Sequence, residues 1–188
     1  MFRLRMALSA LLFTGVVAQG TQIFTNPGFE TGSLTPWISS GSWAITNSGC
    51  NSGNFCAIDT GNNSLEQDFA AVATSSISQV SFFALHTSGA VTALAYDYLY
   101  QGGGFDEFIV NTSGTGWNFF DVTAQIRPSD TLVGFRVFGN SGGTTITDDL
   151  NITTGAAGVP EPATFGLLFS GLGAIALIAK RRRTMSVS

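Results

Sequence analysis

Tyr96, Tyr98 and Tyr100 alternate along one run, so in an extended chain their phenols leave the same side. Flat rings with a polar edge are the chemistry on which sugar rings stack. Trp37, Trp43 and Trp117 offer the same kind of surface. Both sets are also ordinary filling for a β-sandwich core, and three Trp with sixteen Phe are more than one binding face requires. The tyrosine row is the ligand-binding candidate, because three phenols on one side of a strand are easier to solvate than to bury.

The carboxylates supply candidates for catalysis but no marked pair. Cleavage of a glycosidic bond needs two carboxyl groups about 5 to 10 Å apart, and Asp97, Asp106 and Glu107 are the nearest in sequence. Adjacent residues of a strand point to opposite faces, so Asp106 and Glu107 are poorly placed to cooperate. His86 has no Gly-x-Ser-x-Gly elbow or catalytic cysteine with it. Gly102-Gly103-Gly104 precedes no helix and reads as a hairpin loop, not a phosphate cradle. No catalytic residue is assigned, and the chain is read as a non-enzyme. Cys50 and Cys56 make one possible disulfide, closing a small loop worth roughly 2 kcal/mol, while a metal site needs more ligands than two cysteines and a distant His86.

These residues must be positioned by strands. From Thr21 onward, alternating or apolar runs are bounded by Gly, Ser, Asn and Asp, the pattern of an all-β domain. The pattern predicts nine strands: 43–46, 54–58, 65–69, 79–85, 92–100, 105–111, 117–122, 132–138 and 145–152. No repeat of 20 to 50 residues is visible, so a two-sheet sandwich, jelly roll included, is favoured over a propeller or solenoid. In the strand over 132–138, alternation places Val133, Phe135 and Val137 on one face and Leu132, Gly134, Arg136 and Phe138 on the other. In the last strand it places Asp148 with Ile146, Leu150 and Ile152, and a buried carboxylate must be paired, protonated or bound to a cation.

Two stretches carry a resemblance. Asn26-Pro27-Gly28-Phe29-Glu30-Thr31-Gly32 with Trp37 resembles the opening of carbohydrate-binding-module and discoidin-like (galactose-binding-like) jelly rolls, and Thr147-Asp148-Asp149-Leu150-Asn151-Ile152 resembles their closing strand. Gly53 to Ile58 and Leu65 to Phe69 fall where that family has a short strand and a Gln-bearing strand. The resemblance implies that Glu30 and Asp148 meet around a structural calcium. The alternative from the residues themselves is that Glu30 caps a turn through Asn26 and Asp148 accepts backbone amides.

Charge is distributed by position. The chain carries -4 overall. Between Gln19 and Gly158, eleven acidic residues face only Arg127 and Arg136, a formal charge of -9. Such a segment repels phosphate backbones, which argues against nucleic acid as a partner. The basic residues lie at the two ends. Arg3 and Arg5, the apolar Met6 to Phe13, and Val16 with Ala18 before a cleavage point read as a signal peptide over 1–18. At the other end stand Val159-Pro160-Glu161-Pro162, seventeen uncharged residues from Ala163 to Ala179, and Lys180-Arg181-Arg182-Arg183. Seventeen residues span about 26 Å as a helix, at the short end for a membrane, and the basic cluster stays cytoplasmic.

That order resembles the PEP-CTERM sorting domain of exopolysaccharide-producing Gram-negative bacteria. The resemblance implies that an exosortase recognises the tail, removes the helix, and leaves the domain at the cell surface. The expected organisation is therefore a signal peptide (1–18), a β-sandwich (19–154), a linker (155–158), a sorting and anchor segment (159–183) and a cytoplasmic end (184–188). The precursor is anchored in the inner membrane, and the product is at the surface or outside. The expected function is a non-catalytic surface or matrix protein that binds extracellular polysaccharide. The alternatives are a hydrolase acting on that matrix and an ice-binding or adhesion protein, although Thr144-Thr145 and Thr153-Thr154 make no regular threonine array. Replacing Pro160-Glu161-Pro162 with alanines is expected to block tail removal, read as a higher intact mass of the mature protein. Identical mass would favour a plain anchor.

Overall fold

The computed structural model of the chain describes residues 20–87, 92–112, 114, 116–140 and 143–155. The signal peptide, the sorting segment and nearly all of the linker expected from the sequence lie outside these residues. Among the described residues no helix is long and apolar enough to cross a membrane.

Among the described residues, eleven strands form two antiparallel sheets. They are β1 (Thr21–Gln22), β2 (Ile38–Ser39), β3 (Ala44–Thr46), β4 (Cys56–Asp59), β5 (Ser64–Ala73), β6 (Ile77–His86), β7 (Thr92–Tyr100), β8 (Phe105–Thr112), β9 (Asn118–Asp121), β10 (Thr131–Phe138) and β11 (Thr145–Thr154). One sheet runs β3-β4-β11-β6-β9, with β1 also paired to β11, and the other runs β2-β5-β10-β7-β8. The fold is all-β, as the alternation indicates. The two elements that the pattern does not show, β1 and β2, are two residues each, too short to carry a period.

Aromatic side chains fill the space between the sheets. Phe135 packs against Tyr96 and Tyr98 with ring centroids at 5.9 and 5.6 Å, and Phe82 reaches Tyr96 at 5.8 Å from the opposite sheet. Phe24 and Trp37 close one end at 4.9 Å. These rings join Leu65, Val80, Leu132, Leu150 and Ile152 in one buried cluster.

Two bulges redirect side chains that strict alternation misplaces. In β10 the register slips between Leu132 and Gly134, so Leu132 turns into the core at 0% exposure and Val133 lines an outer groove. In β11 it slips between Asp148 and Asn151, and Asp149 takes a φ of 49°. Leu150 and Ile152 therefore face the core, while Ile146 lies in a separate cluster with Cys56 and Leu85 on the other side of the sheet. An extra residue per bulge flips every position beyond it.

The central ring of this core makes a direct test. Phe135→Ala is expected to lower stability by about 3 to 5 kcal/mol, measured by denaturant unfolding of the full chain.

Candidate functional site

The tyrosine row is not the surface that the sequence pattern suggests. Tyr96, Tyr98 and Tyr100 are 1%, 0% and 2% exposed. The interior supplies what solvent would have given: the Tyr98 hydroxyl donates to the Val122 carbonyl, and the Tyr100 hydroxyl accepts from the Arg127 amide at 3.0 Å. Burial pushes the Tyr96 phenol up to about 12 and that of Tyr98 further. Trp37 and Trp43 are buried too, each donating its indole N–H to a backbone carbonyl.

The opposite face of the same strands is open. Antiparallel register partners share a face, and the pairings align Ile38, Glu66, Arg136, Asp97 and Glu107 in one row across all five strands. The next row is Asp68, Gly134, Leu99 and Phe105. A side chain on Gly134 would collide with Asp68 and Leu99 at 2.7 and 2.9 Å, so glycine leaves a dip in the floor. Beside it lies a groove of about 510 Å³ lined by Glu66, Leu99, Phe105, Val133 and Arg136 and by the Gly102-Gly103-Gly104 hairpin.

Apolar exposure concentrates here. Of the four large hydrophobic side chains exposed among the described residues, Ile38, Phe105 and Ile109 belong to this face and only Phe119 does not. The charged row is braced from within. Arg136 donates through Nε to Asp97 at 2.8 Å, through a second nitrogen to the same oxygen, and through a third to Glu66 at 3.3 Å. Its guanidinium also lies 5.1 Å from the Phe138 ring centroid and 5.9 Å from that of Phe105. Burial raises the Asp97 carboxyl against the pull of Arg136, and Glu107 adds to the rise. Burial likewise raises Glu66, with Arg136 opposing and Asp68 reinforcing.

Glu30 and Asp148 sit elsewhere, at a loop closed by the disulfide between Cys50 and Cys56. Glu30 accepts the amides of Asn54 and Phe55 at 3.0 Å. Asp148, fully buried, accepts those of Asn51, Ser52 and Asp149 at 3.0, 3.1 and 2.8 Å. The amides lower Glu30, whereas burial pushes Asp148 up to about 6 despite them. Asp149 is occupied by Asn51 Nδ2 and Ser52 Oγ. The turn that Glu30 was expected to cap is held instead by Asn26, whose side chain bonds Ser33, Thr35 and Thr31.

This donor chemistry does not fit a calcium cage. N–H groups converge where a cation would need oxygens, and among the described residues no three His, Cys, Asp or Glu side chains are grouped to hold a metal ion. His86 is buried, and neither ring nitrogen has a partner among the described residues. Asp106 pairs with Arg127, away from Glu107. The signal for the open row was present in Ala93, Ala95, Asp97 and Leu99, the alternate positions of the tyrosine strand.

Comparison with known proteins agrees with both halves of this description. A protein-sorting family model matches residues 158–183. The chain carries a PEP-CTERM protein-sorting motif. PEP-CTERM marks a protein exported and sorted to the cell surface, and that address lies in the tail. A search among curated proteins found no match. The domain is similar in fold to TmCBM61, solved in complex with β-1,4-galactotriose, with a TM-score of 0.56 and 20% identity over 72% of this chain and 99% of that one. It is also similar to a family 16 carbohydrate-binding module, with a TM-score of 0.51 and 14% identity over 69% and 98% of the two chains. The CBM22-1 xylan-binding domain of Paenibacillus barcinonensis Xyn10C gives 0.50 and 14% over 74% and 97%.

The amide-filled carboxylates make a prediction. Melting of the full chain is expected to be the same with calcium and with chelator, and to fall by roughly 5 to 10 °C when the disulfide is reduced. A drop on chelation alone would restore calcium as the stabilising group.

Proposed function

We propose that this PEP-CTERM protein is a non-catalytic surface or matrix component that binds extracellular polysaccharide along the open face of its five-stranded sheet. The observation that carries the reading is the concentration of exposed Ile38, Phe105 and Ile109 beside a row of hydrogen-bonding groups already fixed by Arg136. Sugar rings have apolar faces and polar rims. Phe105 offers a ring for the face, and Glu66, Glu107 and Arg136 offer acceptors and donors for the hydroxyls. Because Asp97 holds the guanidinium in place, little ordering is left to do on binding. Asp97 is a positioning residue, and Arg136 ties together the two carboxylates that a hydrolase would have to separate into acid and base.

The fold likeness to carbohydrate-binding modules supports this reading. The chain reaches its site as an inner-membrane-anchored precursor through the signal peptide, with an exosortase acting at Val159-Pro160-Glu161-Pro162 and the Lys180 to Arg183 cluster left in the cytoplasm.

A glycan-array screen followed by affinity electrophoresis tests the reading with the full chain in detergent micelles. Phe105→Ala is expected to weaken binding at least about tenfold, equivalent to 1.4 kcal/mol, with melting unchanged because the ring is at the surface. Unaltered binding in that variant, or turnover of any polysaccharide, would overturn it.

A further inference from the structure

We infer that the open face selects a cationic glycan, an amino-sugar polysaccharide with free, protonated amines, in preference to neutral or acidic chains. The inference rests on the polysaccharide-binding reading and adds the class of sugar.

The face carries four carboxylates, Glu66, Asp68, Asp97 and Glu107, against one cation, Arg136. That cation is already committed, because Asp97 takes two of its nitrogens and Glu66 a third. Asp97 is still only half satisfied. Its side chain is 1% exposed, and its Oδ1 has no partner among the described residues, although it stands in the row between Arg136 and Glu107. Asp68 lies two residues from Glu66 on the same strand and face and adds to the rise of the Glu66 carboxyl. The domain's other arginine is spent at the sheet's end on Asp106 and Asp130.

A hydroxyl can donate to the accessible oxygens of Glu66, Asp68 and Glu107 but leaves their charge in place. An ammonium donates three hydrogen bonds and removes the repulsion as well. It can also sit over the exposed ring of Phe105, as Arg136 does at longer range. A metal ion is a poor substitute, since no three of the described acidic, His or Cys side chains are grouped around one point. Glu66 and Glu107 stand three strands apart in the row, about 14 Å at the usual strand spacing, so amines a few pyranose units apart on one chain can meet both. Uronate or sulfated chains meet the carboxylates of Glu66, Asp68 and Glu107 and, among the described residues of this face, no uncommitted cation.

Isothermal titration of the full chain in micelles, at low and high salt, compares the hexamers of glucosamine, N-acetylglucosamine, xylose and galacturonate. The glucosamine hexamer is expected to bind at least tenfold tighter than either neutral hexamer, with galacturonate undetected. The preference is expected to shrink to threefold or less at high salt and in the double variant Glu66→Gln, Glu107→Gln. Asp121→Asn with Asp130→Asn, which removes two carboxylates away from the face, is expected to keep it. Equal or tighter binding of a neutral hexamer, still lost in Phe105→Ala, overturns the amino-sugar inference and leaves the polysaccharide reading standing. Equal loss of preference in the control variant, with both variants melting like the parent, reduces the effect to net charge and also overturns it. Binding of no hexamer, or binding indifferent to Phe105→Ala, removes both.

Discussion

Two carboxylates fasten the beginning of the domain to its end. Glu30, from the turn that opens the fold, and Asp148, from its last strand, both take the amides of a loop that the Cys50–Cys56 bond holds closed. The Leu150 amide donates to the Pro27 carbonyl beside them, at 3.0 Å. Three segments far apart in sequence are thus fixed at one place, and the bulge at Asp149 is what turns Asp148 toward that loop and away from the aromatic core. A buried carboxylate left without donors would cost several kcal/mol. The sandwich can keep Asp148 in its last strand only because the loop's backbone faces it.

Regular alternation made the strands legible, and the interruptions to alternation hid the rest. Nine strands were readable because Val, Phe, Tyr and Ile recur every second residue between Gly, Asn and Ser clusters. The faces of Leu132, Val133 and Asp148 were not, since each bulge inserts one residue that no local composition announces. The row Glu66, Arg136, Asp97 and Glu107 was beyond reach for another reason: it comes from four strands whose order in the sheet is set by long-range pairing. Its members were visible one at a time as polar residues opposite an apolar face.

The tyrosine strand shows why a side cannot be assigned by chemistry alone. Phenols tolerate water and interior equally when an acceptor or donor waits inside, and here Val122 and Arg127 provide them. The alternation was read correctly, but which side faced out depended on the second sheet. Once Phe82 and Phe135 close over the rings, Asp97 and its neighbours are left on the outer side.

The place of β11 in its sheet bears on how the domain resists pulling. The strand is hydrogen-bonded on both sides, to β4 and to β6, and also to β1. Tension entering through the chain that follows Thr154 runs along the length of a central strand, so its ladder bonds are loaded together in shear and are not peeled one by one. A handle joined there transmits load into the most connected element of the fold. β11 is the one strand among the described residues paired with three others, so no single neighbour carries that load alone.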